Sequence, residues 1–324
     1  MFRQSPLASP FNAFSTADEV LRDIDLTGRT AIVTGGASGL GLQMTRALAA
    51  AGAQVIVPAR SPEKAQAALA GVENIEIAQI ELMDLSSIDR FADAFLDARR
   101  PLDCLIHSAG IMAAPIGRDS RGNESQLAIN HLAPFHLTDR LGPALKAAGS
   151  ARVVSLSSRA HRLAGVDFND PNFVERPYDP WLAYGQSKTA DALFAVELDR
   201  RARAAGVRAF SVHPGSILTD LARHLSPEQV RAFGAMDEKG EIRIDPLNDL
   251  KTVQQGAATA LWCATSPLLA DLGGVYCEDC NVAPLREPDD PRKDGVRTWA
   301  ADADLATRLW ALSERLVGQP TTSW

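Results

Sequence analysis

The sequence predicts an α/β protein built on a single doubly wound, parallel sheet of about seven strands with helices on both faces. Three observations predict it. Short β-branched runs alternate along the chain with longer Ala/Leu-rich stretches at helical spacing. A glycine cluster, Thr34-Gly35-Gly36-Ala37-Ser38-Gly39-Leu40-Gly41, falls at the first strand-to-helix junction. The 324 residues, 46% hydrophobic and 23% charged, supply the core such a sheet needs.

The elements follow in order. Residues 1–27 read as an arm leading into the first strand, 30–33 (TAIV). A helix over 40–51 is followed by a strand at 54–57 (QVIV), a helix at 62–70, a strand at 75–80 and a helix at 86–99. The fourth strand is 102–106, with a long helical stretch over 124–148; the fifth is 152–156, followed by a helix over 182–205. Strand six is 207–212, and helix 252–265 precedes a seventh at 274–276. Residues 302–317 close the chain as an amphipathic helix. Leu305, Leu309, Leu312 and Leu316 make one stripe flanked by Trp310, which reads as core packing or as a subunit contact. Residues 28–318 are expected to form one domain, with 319–324 as a tail. Such a sheet binds its ligand outside the carboxyl ends of its strands, at the switch point.

Charge and composition exclude several classes. A net charge of −7 and a pI near 5.4 argue against a nucleic-acid partner. No run approaches the ~18 apolar residues of a membrane span. Residues 1–25 lack a basic stretch before an apolar core, so no secretory signal and a cytoplasmic location are expected. The Cys277-x-x-Cys280 pair has no second pair of ligands nearby and reads as two thiols on a strand and its turn, not a metal site. His131 and His136 splay on a helix, His161 and His213 read as structural, and Arg200, Arg201 and Arg203 as a solvated face.

The glycine cluster carries chemistry. Its glycines permit a tight turn and let backbone approach a pyrophosphate at a helix N-terminus, where unpaired N–H groups and the dipole favour anions. The spacing is G-x-x-x-G-x-G rather than the commonest G-x-G-x-x-G. The second strand runs out through Pro58-Ala59-Arg60, with no acidic residue to accept from ribose hydroxyls. Arg60 instead suits a 2′-phosphate, which predicts NADP(H) over NAD(H).

Tyr184 and Lys188 are four apart and share a helical face. An ammonium beside a phenol favours the phenolate and lowers its pKa toward neutrality, which makes a proton donor. Ser158, at the end of strand five, offers a hydroxyl that can polarise a carbonyl. Asn130 lies in a helix expected over 127–137 whose face can reach the same crevice.

Together these residues resemble the short-chain dehydrogenase/reductase family, a Rossmann-type fold, from about residue 30 to 274. The motifs are TGGASGLG at 34–41, MDL at 83–85, HSAG at 107–110, IN at 129–130, SLSS at 155–158, YGQSK at 184–188 and HPGSILT at 213–219. The branch resembled is that of retinol dehydrogenases, WW-domain-containing oxidoreductases and Tic32-like reductases, whose arm also resembles Ser15 to Val20. The resemblance implies hydride transfer between a carbonyl and an alcohol. It makes Tyr184 the general acid/base, with Lys188 lowering its pKa and holding the nicotinamide ribose. Ser158 would orient the substrate oxygen, and Asn130 a relay water. Gly35, Gly39 and Gly41, with Ser38 and Leu40, would cradle the pyrophosphate. Asp84 and Leu85 would meet the adenine. Ser108, Ala109, Gly110, Pro214 and Gly215 would line the cofactor, and Ile217 and Thr219 hold its carboxamide. His107-Ser108 departs from the family's usual Asn-Asn, and 166–181 is an added segment that either walls the pocket or packs on the surface. Residues 218–247 are expected to form a lid, with Leu218, Leu221, Phe233 and Met236 lining an apolar pocket. A homodimer through the tyrosine-bearing helix is the resemblance's expectation. A non-catalytic NADP-binding sensor or scaffold is the competing reading. A sugar-nucleotide epimerase is a third, disfavoured by the glycine spacing.

Overall fold

A computed structural model describes residues 4–324 except 225, 233, 235, 238 and 239. An arm helix α1 (Ala17–Leu21) precedes β1 (Thr30–Thr34), α2 (Gly39–Ala50), β2 (Gln54–Ala59), α3 (Pro62–Ala68), β3 (Ile75–Gln79), α4 (Leu85–Asp97) and β4 (Cys104–His107). Then come α5 (Ser125–Leu127), a π turn (Ala128–Leu132), α6 (Ala133–Arg140), α7 (Gly142–Ala148), β5 (Ala151–Leu156), α8 (Pro180–Ala202) and β6 (Val207–Val212). The chain ends through α9 (Pro227–Ala232), α10 (Val253–Thr265), β7 (Val275–Glu278), β8 (Asn281–Val282), β9 (Leu285–Arg286), β10 (Val296–Arg297) and α11 (Ala303–Val317).

The expected sheet forms, with one correction. It has eight strands, ordered β3-β2-β1-β4-β5-β6-β7-β8. The first seven are parallel, and β8 is antiparallel to β7 through Cys277↔Val282. The turn between them places Asp279 and Cys280 at positive φ, so the chain doubles back after the seventh strand. A separate pair, β9 and β10, lies outside the sheet. The strand order reverses at β1, which opens the crevice between β1 and β4.

Both sheet faces are buried, as a parallel sheet requires. One core gathers Ile32, Ile56, Leu105, Phe135, Leu193 and Trp310; the other gathers Val33, Val55, Ile106, Phe210 and Trp262. The single helix expected over 124–148 is broken twice, each time by a proline. Pro134 has no N–H for the Asn130 carbonyl, and the helix widens into the π turn, where the Ala133 N–H reaches back to the Ala128 carbonyl. Pro143 likewise frees the Asp139 carbonyl, which accepts from the Ser323 hydroxyl at 2.7 Å. The C-terminal residues are thereby anchored.

The stripe on α11 is core. Leu309 and Leu312 are buried, and Trp310 meets Phe135 edge-on at 4.9 Å and stacks on Phe194 at 6.1 Å. Since Phe194 belongs to α8, the chain's own last helix covers the outer face of the tyrosine-bearing helix. The arm is held too: Gln4 donates to the carbonyls of Tyr276 and Ala283 across the β7–β8 hairpin. No helix among the described residues is long and apolar enough to cross a membrane. Cys104, Cys263, Cys277 and Cys280 are free and buried, and no metal-binding cluster occurs among the described residues.

Candidate active site

A cavity of about 750 Å³ opens at the carboxyl ends of β1, β4, β5 and β6. Its floor is the β1–α2 turn. Gly35 has φ +67, and a Cβ there would stand 2.9 Å from the Ala109 backbone. A Cβ on Gly41 would stand 2.2 Å from the Gly35 carbonyl oxygen. The turn is therefore closed on itself and on the β4 loop, and only glycine fits where backbone must approach a ligand. The start of α2 adds its N–H groups to the same cradle.

The cavity brings together Gly35, Ser38, Gly39, Leu40 and Gly41 from the first turn, Ser108, Ala109 and Gly110 from β4, and Ser158 from β5. Tyr184 and Lys188 from α8 join them, with Pro214, Gly215, Ile217 and Thr219 after β6. Four expected residues do not line it. Arg60 stands exposed at the end of β2. The Asp84 carboxylate caps α4, accepting from the Ser86 N–H at 3.0 Å, and Leu85 opens that helix. Asn130 is buried behind Gly110. Its Oδ1 accepts from the Ile111 N–H at 2.9 Å, and its Nδ2 donates to the Ile111 carbonyl and the Ser187 hydroxyl.

The His107-Ser108 departure has a structural answer. The β1–β4 tie comes from Thr34, whose hydroxyl accepts from the Ser108 and Ala109 N–H groups at 3.1 and 3.2 Å. The Thr138 hydroxyl donates to the Pro134 carbonyl, so it takes the His107 Nε2 proton at 2.8 Å. Burial pushes His107 down to about 3, and the ring stays neutral.

Ser158 is held from both sides. Its hydroxyl accepts from the Ala160 N–H, and its carbonyl takes the His161 Nδ1 proton at 2.8 Å. The next residue, Arg159, gives its N–H to His213 Nδ1, whose Nε2 faces the Asp249 carboxylate at 3.0 Å. Burial works to raise Asp249, but His213, Arg159 and Ser216 outweigh it and hold the carboxyl well below the usual range. Both histidines support the Ser158 turn, and His213 also lines the cavity. Sequence reasoning missed this network, since Asp249 lies 36 residues from His213.

The tyrosine–lysine pair is fixed through the Lys188 ammonium. The Lys188 Nζ lies 5.7 Å from the Tyr184 ring centre, and it donates to the Leu156 carbonyl at 2.7 Å and the Asp191 carboxylate at 2.9 Å. Burial raises the Tyr184 phenol above its ordinary value, and the Lys188 ammonium and then the Ser158 hydroxyl work to lower it.

The apolar end of the cavity is lined by Met112, Leu163, Trp181, Leu218, Leu221 and Val230. Met236 instead forms a bridge with Ile242, and Phe233 lies outside the described residues. Of the 166–181 segment, Trp181 reaches the cavity. The rest is folded by Asp170, which accepts the N–H groups of Val174, Glu175 and Arg176, and is tied to its neighbours: Arg118 donates to the Asn172 and Phe173 carbonyls, the Tyr178 hydroxyl to the Ala114 carbonyl, and Gln186 of α8 to the Pro171 carbonyl.

The sequence pattern of the family described as short chain dehydrogenase matches residues 29–230. The chain is a short-chain dehydrogenase. A "Probable oxidoreductase" of Streptomyces lividans is 49% identical over 293 residues, covering 89% of this dehydrogenase and 97% of the relative. Human "Retinol dehydrogenase 11" is 32% identical over 337 residues, 99% and 98% of the two chains, in keeping with the branch resembled. The crystal structure of an uncharacterised protein from Mycobacterium paratuberculosis superposes with a TM-score of 0.71 at 34% identity, over 95% of this chain and 98% of that one. The dehydrogenase is thus an oxidoreductase that acts on CH–OH groups with a nicotinamide cofactor.

Proposed function

We propose that this dehydrogenase interconverts a carbonyl and an alcohol on an apolar small molecule, with NADP(H) as cofactor and Tyr184 as general acid/base. The observation that carries the reading is the convergence of Tyr184, Ser158 and Lys188 on one cavity with a closed glycine cradle at one end and an apolar wall at the other. The bound nicotinamide supplies the hydride. Tyr184 gives its proton to the substrate oxygen in reduction and takes it back in oxidation, and Ser158 orients that oxygen. Lys188 has committed two of its three N–H groups and has one to offer a ribose hydroxyl. The Asn130 side chain is spent on Ile111 and Ser187, so what it offers a relay water is its backbone carbonyl, to which Pro134 gives no N–H.

The substrate class follows from the wall. Arg159 reaches the cavity with its charge opposed by Asp249 at 2.9 Å and Glu278 at 3.9 Å, and Asp220 and Arg223, of opposite sign, line it too, so the wall carries little net charge, which favours a neutral ligand. Residues 218–247, carrying Leu218, Leu221 and Val230, act as the lid of this reading. A homodimer would have to use a surface other than the α8 face that α11 covers. Four free thiols suit a cytoplasmic, reducing compartment.

NADPH oxidation is followed across apolar aldehydes and ketones with the native chain and Tyr184→Phe. We expect kcat to fall by about a hundredfold or more in the variant, with NADPH affinity kept within about twofold. Full activity in Tyr184→Phe removes the acid assignment. A flat native panel with tight NADPH binding favours the scaffold.

A further inference from the structure

The wall beside the proposed reacting centre is aromatic. Trp181 lines the cavity one turn ahead of Tyr184 on α8, and three-residue spacing puts both rings on one helical face. The two rings meet edge to face, with centroids 6.2 Å apart and planes at 80°. The helix start fixes the place of the indole. Pro180 is the first helical residue, and the Asp179 carboxylate accepts the Trp181 and Leu182 N–H groups at 2.8 and 2.9 Å. Gly185 completes the wall. A Cβ there would stand 2.8 Å from the Ala160 carbonyl oxygen and 3.0 Å from the Leu163 Cβ. Glycine therefore lets the turn after Ser158 seat Leu163 against α8, one turn beyond Trp181. Leu163 lines the cavity yet is 53% exposed, and Trp181 is half-buried. Both keep apolar surface that the fold itself leaves uncovered.

We propose that Trp181 is a specificity-determining residue and that the substrate is an aryl aldehyde or ketone, its flat ring conjugated to the reacting carbonyl. The inference rests on Tyr184 being the acid/base. A carbonyl oxygen that takes its proton from Tyr184 and is oriented by Ser158 has its substituents beside the phenol ring. The indole lies there too, within the roughly 4.5–7 Å over which aromatic rings attract one another. An aryl ring conjugated to its carbonyl is already held coplanar with it and loses little freedom on binding. An aliphatic ring of the same size finds the same apolar area but no complementary quadrupole. The indole turns on two side-chain torsions, so it is offered at low entropic cost. Leu163, Leu218 and Leu221 supply apolar area without that selectivity. The ring contact is made alike in ground state and transition state, so the preference belongs to KM rather than kcat.

The experiment compares matched rings in two ways. Calorimetry on the chain saturated with NADP+ measures Kd for benzamide and for cyclohexanecarboxamide, whose carbonyls take no hydride. NADPH oxidation measures KM and kcat for acetophenone and for cyclohexyl methyl ketone. We expect the native chain to hold the phenyl member of each pair about three- to tenfold more tightly. Trp181→Leu is expected to bring the two members within about twofold, with kcat for each ketone changed by less than about threefold. Trp181→Phe, which keeps a ring, is expected to retain most of the preference. The native Kd ratio needs no variant: equal values, or a tighter cyclohexyl member, overturn the inference. A phenyl preference that survives in Trp181→Leu overturns it as well. A phenyl preference in Kd that Trp181→Leu abolishes, with no turnover of any carbonyl by the native chain, leaves the aryl site standing and sinks the reductase reading. Turnover without a phenyl preference does the reverse.

Discussion

Arg60 stands at the carboxyl end of β2, exposed, and its guanidinium has no ion pair among the described residues. Its backbone carbonyl is held by Gln79 at 3.0 Å, so the loop is fixed while the fork is free. Such a fork gains a charge-assisted pair with a 2′-phosphate that it cannot form with a 2′-hydroxyl. Arg60→Ala is expected to weaken NADPH binding by about 1.5–3 kcal/mol and NADH binding by far less. Titration of both cofactors checks it, and equal losses sink the 2′-phosphate assignment. Tyr184, Lys188 and Ser158 were legible because their spacing and their place after a strand are sequence properties. Asp191 was not. An aspartate in a helix reads as solvated until the fold shows that α8 is buried along both sides.

The β1–α2 turn is the element on which ligand binding and stability meet. The glycine spacing announced it, but which glycine is indispensable needed the fold. Gly36 would bring a Cβ to 2.6 Å from the Thr45 hydroxyl and to 2.8 Å from the Val33 carbonyl oxygen, and Gly41 would meet the Gly35 carbonyl oxygen at 2.2 Å, the tightest approach of the turn's glycines and one that cannot be relieved without opening the turn. Gly41→Ala is expected to cost about 1–3 kcal/mol of stability and to weaken dinucleotide binding with it. Thermal melting with and without NADPH reads both. An unchanged Tm and an unchanged cofactor-induced rise would remove the turn from this role. The helix expected at 124–148 shows the limit of periodicity: its hydrophobic spacing is helical throughout, yet Pro134 and Pro143 each delete a hydrogen bond. The consequence, a π turn carrying Asn130, depends on what Ile111 and Ser187 offer from elsewhere in the fold.

At the scale of the whole molecule, alternation sufficed for seven parallel strands, because each crossover helix must pack back on the sheet. The eighth strand was illegible, being two residues that follow a turn with two non-glycine residues at positive φ. What the packed molecule adds is a pH dependence. Burial pushes His107, His131 and His161 down to about 3 each, whereas an unfolded histidine titrates near 6.5. As pH falls through 6.5, the unfolded chain takes up to three protons that the fold refuses, so stability drops. Burial raises Asp191 to about 7 and raises Glu278, and both oppose this, since their folded carboxyls bind protons at a pH where unfolded ones do not. The three histidines outnumber the carboxyls that oppose them, so the unfolded state holds the net excess of protons as the pH falls and stability drops with it. Asp249, held low, adds to the loss below about pH 4. The Tm is therefore expected to hold near pH 7 and to fall steadily between pH 6.5 and 5. A Tm that stays level or rises over that interval would show that these imidazoles take their protons inside the fold, and that the neutral ties from His107 to Thr138 and from His161 to Ser158 are not what holds α6 and the Ser158 turn in place.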